Sequence, residues 1–144
     1  MKKVAILSAL LFCAVFASAE YADNWAILND PATSVDARVE KATSLLVTKL
    51  SLEDNQIAMI NKIQKEAAEN VNAIQGLKAS DPEKFTIKEK NIASSMDRQI
   101  LKVLKEKQAV LYKRLLDERY SNQKLEAIQQ REQKAKLQQA FDKN

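Results

Sequence analysis

The chain has 144 residues with 23 basic and 19 acidic side chains, no histidine, one cysteine, one glycine and two prolines. So few turn-forming residues exclude a fold made of many β-hairpins, and the abundant Ala, Leu, Lys, Glu and Gln favour an all-α protein. The absence of histidine excludes a Ser-His-Asp or Cys-His nucleophile, a histidine pH switch and the usual zinc or copper sites. We therefore expect no enzyme activity, no metal and no cofactor.

Residues 1–19 have the pattern of a cleaved secretory signal peptide. Two lysines precede an apolar run from Val4 to Phe16, and Ala17-Ser18-Ala19 supplies the small residues for cleavage before Glu20. The run is shorter than the roughly 20 residues that span a bilayer. Cys13 lies inside this leader, so the mature chain would carry no thiol. The pattern predicts export by the Sec pathway to the periplasm, or secretion where a cell has no outer membrane, with no transmembrane segment after cleavage.

Charge is distributed unevenly along the chain that follows the leader. Residues 20–81 contain 6 basic and 10 acidic side chains, whereas residues 82–144 contain 15 and 9. This polarity favours antiparallel self-association and leaves a basic surface for acidic partners. The simpler alternative is that the charges only solvate helix faces. The modest overall charge of the exported chain, together with its export, argues against nucleic-acid binding.

Residues 20–30 are predicted to be an N-terminal arm without a clear helical period. Trp25 and Leu28 either dock this arm on a partner or pack it onto the chain's own helices. Asp30-Pro31 then combines an N-cap residue with a first-turn proline, which predicts that the first helix opens here and runs to Leu50. The helical domain is expected to cover residues 31–120.

The segment after Leu50 predicts a second helix in either of two registers. In one register Ser51 is the N-cap, with an acidic residue three positions later. In the other, Glu53 is the N-cap, Gln56 is the third helical residue and Leu52 packs back across the cap as a hydrophobic staple. Because glutamate is a poor N-cap, Ser51 is expected to do the capping.

The remainder of the chain predicts two more helices and a tail. Ser80-Asp81-Pro82 repeats the cap-then-proline pattern and predicts a loop followed by a third helix. The apolar residues become dense after Ile100, which indicates a helix buried on more than one side. The apolar pattern thins after Tyr120, so residues 121–144 are predicted to be a polar, helical extension.

Leu104-Lys105-Glu106-Lys107-Gln108 repeats the Leu-x-x-x-Gln frame of Leu52 to Gln56, 52 positions later. Here the chain resembles the Spy/CpxP family of periplasmic chaperone and stress proteins, whose signature is a Leu-Thr-x-x-Gln motif that occurs twice. The threonine is replaced in both copies, by Glu53 and by Lys105. Lysine cannot accept a hydrogen bond from a backbone amide. The sequence therefore predicts that the third and fourth helices run nearly continuously through Leu104. The resemblance covers residues 32–116.

The resemblance implies three to four long amphipathic helices in an elongated hairpin or cradle that pairs antiparallel as a homodimer. It also implies an ATP-independent chaperone or envelope-stress protein that transiently binds unfolded or aggregation-prone envelope proteins. Four motif residues are expected to be structural: Leu52, Gln56, Leu104 and Gln108. The candidate client-binding residues combine basic and apolar side chains: Lys102, Lys105, Lys113, Phe85, Ile87 and Met96. For the apolar members, the alternative is ordinary core packing.

Three other functions are open at this point. A structural or scaffolding coiled-coil protein of the cell envelope would need no client. A regulatory adaptor of an envelope sensor is compatible with the family resemblance. A Skp/OmpH-type chaperone would need β-strands at both ends of the chain; residues 25–29 could supply the first, and the Gln- and Lys-rich C-terminus offers no second.

Overall fold

The computed structural model describes residues 23–142, and within this range the chain forms helices and no strand. The all-α prediction is confirmed. The predicted count of three to four helices is not confirmed, because two short helices accompany the four long ones. The predicted leader and the first residues of the predicted arm lie outside the described residues. The helices are α1 (Asn24–Leu28), α2 (Val35–Leu50), α3 (Asp54–Ile74), α4 (Leu77–Ser80), α5 (Pro82–Val103) and α6 (Glu106–Phe141).

The first long helix begins later than the sequence predicts. Asp30 Oδ1 accepts a hydrogen bond from the Ala32 amide at 2.9 Å, which makes a tight local turn around Pro31. α2 then starts after Ser34, whose Oγ accepts from the Ala37 amide at 3.3 Å. The prediction of a helix start at Asp30-Pro31 is therefore wrong, because the Asp30 side chain serves a turn and Ser34 serves as the N-cap.

Ser51 ends α2 and does not cap α3. Its backbone is in the left-handed region, at φ 52° and ψ 57°, and its amide donates to the carbonyl of Val47 at 2.9 Å. Glu53 is the residue that precedes α3, with extended dihedrals of −83° and 158°. Of the two registers, the one with Glu53 at the N-cap is present, and the expectation that Ser51 caps the helix is wrong. Leu52, between the two, is buried.

The chain breaks at Leu104, contrary to the predicted continuous helix. Leu104 and Lys105 are both extended, and α6 begins at Glu106. The amide of Lys105 donates to Gln108 Oε1 at 2.9 Å, so this helix start is capped by the glutamine and needs no acceptor from the lysine side chain. A lysine at position 105 is therefore compatible with a break between the two helices.

The start of α5 follows the sequence pattern. Asp81 Oδ1 accepts from the Lys84 amide at 3.1 Å, and Pro82 occupies the first helical position, where its missing N–H costs nothing. Gly76 keeps a right-handed backbone and leads directly into α4, so the reversal between α3 and α5 needs no left-handed glycine.

The core forms where α3 packs between α2 and α5 and where α1 covers α2. Trp25 and Leu28 of α1 are 4% and 0% exposed, so this part of the predicted arm packs on the chain's own helices. α6 joins the core through its first turns, chiefly Tyr112. The buried apolar residues of this core cluster are Trp25, Leu28, Val39, Ala42, Leu46, Leu50, Leu52, Ile60, Ala67, Ala68, Val71, Met96, Ile100 and Tyr112.

α6 is a 36-residue helix of which only the first half packs on the rest of the chain. At about 1.5 Å per residue it extends about 54 Å. All its side chains from Gln123 to Phe141 are exposed. Leu125, Leu137 and Phe141 are 56%, 60% and 74% exposed, which leaves large apolar groups in water. None of the helices within residues 23–142 combines the length and the apolar character needed to cross a membrane.

Candidate functional site

The two Leu-x-x-x-Gln turns meet through their glutamine side chains. Gln56 Nε2 donates to Gln108 Oε1 at 2.7 Å, and Gln108 Nε2 donates to Gln56 Oε1 at 3.0 Å. Each Oε1 also accepts the amide at the start of its own helix, from Glu53 at 3.0 Å and from Lys105 at 2.9 Å. Each Nε2 donates in addition to a carbonyl at the end of the helix before the opposite turn, at 3.0 and 3.3 Å. Each glutamine side chain thus caps its own helix and also joins that helix to the other turn.

The second residues of the two Leu-x-x-x-Gln turns, Glu53 and Lys105, face each other. Lys105 Nζ and the carboxylate of Glu53 form an ion pair across the junction of the two turns. The two side chains remain 64% and 54% exposed, so water screens the pair and its contribution to stability is small. The two side chains are therefore complementary in charge, and the glutamine contacts are present beneath them.

A buried charge cluster joins α6 to α5 and to the N-terminal end of α1. Arg119 donates from Nε to Asp23 at 2.9 Å and from Nη1 to Asp97 at 2.8 Å. Its Nη2 donates to Asn24 Oδ1 at 3.0 Å, and the Tyr112 hydroxyl donates to the second oxygen of Asp97 at 2.7 Å. All five side chains belong to residues that are at most 6% exposed. The cluster is therefore a closed network in which every guanidinium nitrogen has an acceptor.

This charge cluster contains two carboxylates and one guanidinium. Burial raises the pKa of the Asp97 carboxyl, and the opposing effects of Arg119 and of the Tyr112 hydrogen bond offset this only in part. Burial by itself would lower the pKa of Arg119, but Asp97 and Asp23 raise it above its ordinary value. The guanidinium therefore remains charged, and its loss would leave two buried carboxylates without a counter-ion.

Arg38 holds the other end of α1. Its Nη1 donates to the carbonyl of Leu28 at 2.7 Å, and its Nη2 donates to Asn72 Oδ1 at 2.7 Å. The residue is 2% exposed, and its Nε donates to the carbonyl of Ser34 at 3.4 Å. The first end of α1 therefore contacts a cluster with an excess negative charge. Its last carbonyl contacts the buried guanidinium of Arg38.

Replacing Tyr112 with phenylalanine tests the electrostatics of the cluster. Burial, with the neighbouring Asp97 carboxylate, raises the pKa of Tyr112 far above its usual value of 10.0. As the pH rises, the Tyr112 hydroxyl therefore loses its proton in the unfolded chain before it does so in the folded chain. The stabilisation that this hydroxyl gives the fold is complete below about pH 10 and is lost above it, at up to about 1.4 kcal/mol per pH unit. We expect Y112F to be less stable at pH 8 by about 1.5 kcal/mol, because Asp97 loses a hydrogen bond.

The measurement is urea unfolding of both proteins between about pH 8 and 11. The other titrating side chains are the same in both proteins, so the difference between the two curves isolates Tyr112. The gap between wild type and Y112F should narrow as the pH rises above about 10. If the difference in unfolding free energy between the two proteins stayed constant across this range, Tyr112 would not be a buried phenol that keeps its proton.

An open groove runs between α3 and α5. It consists of three adjoining depressions of about 550, 260 and 370 Å³. The first and second share Ile63, Glu66 and Gln99, and the second and third share Asn70, Asn91 and Ile92, so the three form one continuous surface. The apolar members of the lining are Met59, Ile63, Ala67, Ala73, Ile74, Ile92, Met96 and Val103.

The polar lining of the groove consists largely of amides and lysines. Asn70 and Asn91 are exposed and Gln99 is half-buried, so these amides border the groove within reach of water. Each amide carries both a donor and an acceptor, which suits the backbone of a bound chain. Lys62 and Lys102 lie at the end near Val103, and Lys88 lies at the other end. Glu66 is the acidic residue of this lining, so the groove has a net positive charge.

The structure brings two of the six candidate client-binding residues to this groove. Lys102 lies at its wide end and Met96, only 2% exposed, lies at its base. Ile87 is 55% exposed but lies outside the lining, and Phe85 is buried beneath the ammonium of Lys78, which stands 5.5 Å from its ring centre. The burial of Phe85 and Met96 fits the core-packing alternative.

The other two candidates lie on the surface of the α5–α6 region. Lys105 is exposed and occupied by its ion pair with Glu53, and Lys113 is exposed on α6. Of the four motif residues, Gln56 and Gln108 make the contacts described above at the junction of the two turns. Leu52 and Leu104 pack against the core from the same two turns.

The charge cluster is not among the predicted features, because charged residues were expected on the surface. A signal was present, since Tyr112, Leu115 and Arg119 are spaced by three and four residues, in the register of an apolar stripe of α6. Asp97 likewise lies between Met96 and Ile100, both buried. A charged residue at a core position requires a partner, so the two could have been paired with each other.

No family model matches the chain, and neither the curated proteins nor the solved structures give a match. Within residues 23–142, no three acidic or other potential ligand side chains come together in a group that could hold a metal ion.

Proposed function

We propose that this chain is an exported, ATP-independent helical chaperone that transiently holds unfolded envelope proteins in the groove between α3 and α5. The observation that carries the proposal is the composition of that groove: an apolar base, amide borders and lysines at both ends. Met59, 54% exposed, supplies a flexible apolar contact of the kind used by binding surfaces that accept many sequences. The groove is shallow and open along its length, which suits an extended chain better than one small ligand.

Charge and apolar contact have separate roles in this mechanism. Lys62, Lys102 and Lys88 would attract acidic segments and speed the first encounter. Ile63 and Ile92 would then cover apolar side chains of the client over a limited area, so the complex forms and separates without ATP. Asn70 and Asn91 would hydrogen-bond backbone groups that an unfolded client leaves exposed, whatever its sequence.

The resemblance to the Spy/CpxP family supports the proposal through the motif residues. Gln56 and Gln108 have a shared role that explains why a Leu-x-x-x-Gln turn would occur twice in one chain. The charged replacements at Glu53 and Lys105 are compatible with that role, because they lie outside the amide contacts. The proposed location is the periplasm, as the leader predicts.

We also propose that the functional unit is a homodimer. The predominantly acidic first half and the basic second half of the chain favour antiparallel association of two copies, with the acidic half of one against the basic half of the other. The exposed apolar side chains on the second half of α6, Leu125, Ile128, Leu137 and Phe141, are further surface that an isolated copy leaves in water.

The proposal is tested by reversing the charge of the groove. A K62E/K102E variant should suppress aggregation of a reduced, unfolding client protein about tenfold less effectively than wild type at low salt, because encounter slows and acidic segments are repelled. Light scattering without ATP, at several salt concentrations, measures the effect. The matched control is K41E/K49E, which makes the same change in net charge at exposed positions of α2 outside the groove and should retain activity.

Two outcomes would count against the proposal. Equal losses in both double variants would assign the effect to net charge and not to the groove. A wild-type protein that fails to suppress aggregation even in several-fold molar excess would exclude the chaperone function and favour a scaffolding role in the envelope.

A further inference from the structure

α1 depends on contacts with distant parts of the chain. It has five residues, too few for a helix to be stable alone. Trp25 and Leu28, at 4% and 0% exposure, place its apolar side in the core, where it packs on α2. The position of α1 is therefore determined by the surface that receives it, which we call the α1 seat: the apolar face of α2 with Arg38, Asp97, Tyr112 and Arg119.

The α1 seat is specific for the sequence and direction of α1. Arg119 binds Asp23 and Asn24 at the first end, and Arg38 binds the carbonyl of Leu28 at the other. Asn24 Nδ2 in addition donates to the Tyr112 hydroxyl at 3.4 Å. A segment inserted in reverse, or one without the Asp-Asn-Trp-x-x-Leu pattern, would leave buried polar groups of the seat without partners.

Residues 29–34 connect α1 to α2 and can serve as a hinge. Residues 30–34 are all exposed, and they contain Pro31, which favours an extended backbone at the residue before it. Hydrogen bonds join residues 30–34 to near neighbours in the sequence, and Asn29 Nδ2 in addition donates to the carboxylate of Glu89. A hinge formed by residues 29–34 can span about 20 Å when extended.

We propose that α1 exchanges between two copies of this chain, so that each copy's α1 occupies the α1 seat of the other in a domain-swapped homodimer. The swapped dimer keeps every contact of the seat and changes the backbone only at residues 29–34, so the exchange has a small free-energy cost. A second copy is the fitting occupant, because it carries the complete pattern that the seat recognises. The proposal specifies how the proposed homodimer forms and does not depend on client binding.

Crosslinking of mixed chains tests the exchange through the contact between Asn29 and Glu89. One chain carries N29C and a size tag, and the other carries E89C; both carry C13S so that the new thiols are unique. The two chains are unfolded together, refolded at high protein concentration and treated with a short bis-maleimide. Because each chain has a single thiol of this pair, a crosslinked product of one tagged and one untagged chain, in a yield above the collision background, shows that the α1 of one copy lies on the other.

The expected result is a crosslinked heterodimer whose yield rises at least several-fold with protein concentration during refolding. The matched control pairs N29C with K49C, an exposed position in the last turn of α2 that lies about 21 Å along that helix from its first residue. This pair should give only the collision background. A chain with both N29C and E89C should crosslink within itself at low concentration, which verifies the geometry of the contact. If that chain crosslinks internally while the mixed chains stay at background at every concentration, the exchange does not occur.

Discussion

Replacing Arg119 with leucine is expected to lower the free energy of unfolding by about 3–5 kcal/mol. The change removes the cation that lies 2.9 Å from Asp23 and 2.8 Å from Asp97, in a site where all three residues are nearly inaccessible to water. The two carboxylates would then have to be buried unpaired or bind protons. Urea unfolding at neutral pH measures the loss.

The control for this variant is R114L, which removes an exposed arginine from the same helix. It should change stability by no more than about 0.5 kcal/mol. If R119L does not accumulate as a folded protein, R119K keeps the charge and loses the fork of donors, so it should give an intermediate loss. A decrease below about 1 kcal/mol for R119L would mean that water replaces the guanidinium and that the cluster is not a closed site.

Removing Gln108 should have the second largest effect. Q108A leaves the amide of Lys105, two carbonyls at the end of α2 and the side chain of Gln56 without their partner. Three of these hydrogen bonds, one to the Lys105 amide and two to the Gln56 side chain, are 3.0 Å or shorter, and at about 1 kcal/mol for each of them we expect a loss of about 3 kcal/mol. The control is Q129A on the second half of α6, where the glutamine is exposed and the expected change is within about 0.5 kcal/mol.

A double-mutant cycle separates the shared contact from the individual caps. The losses for Q56A and Q108A should not add, and the double variant should be more stable than their sum predicts by about 1–2 kcal/mol. Additive losses would show that each glutamine acts only on its own helix start. The contact between Gln56 and Gln108 would then not explain why the turn occurs twice in the chain.

The helical class and the start of α5 were predictable, because both depend on local patterns. Asp81-Pro82 set the start of α5 through contacts within one turn, as predicted. The start of α6 was mispredicted, because the acceptor for the Lys105 amide is the side chain three residues later, held in place by Gln56 from 52 positions earlier. A contact at that separation is not visible in a propensity or a cap pattern.

The candidate binding residues show the same limit. Lys102 could be recognised as a basic residue near an apolar helix end, but its position in a groove depends on how α3 packs on α5. The amides that border the groove, Asn70 and Asn91, have no local sequence signal at all. The charge cluster did have one, since Arg119 lies in an apolar register, and a search for charged residues at core positions would have identified it.

The two halves of α6 differ in what holds them in place. Gln108, Tyr112 and Arg119 fix the first half through buried hydrogen bonds, whereas every side chain from Gln123 to Phe141 is exposed. Phe141 lies about 33 Å along the helix from Arg119, at about 1.5 Å per residue. A rod held at one end acts as a lever, so a rotation of about ten degrees at Arg119 would displace Phe141 by about 6 Å over that length.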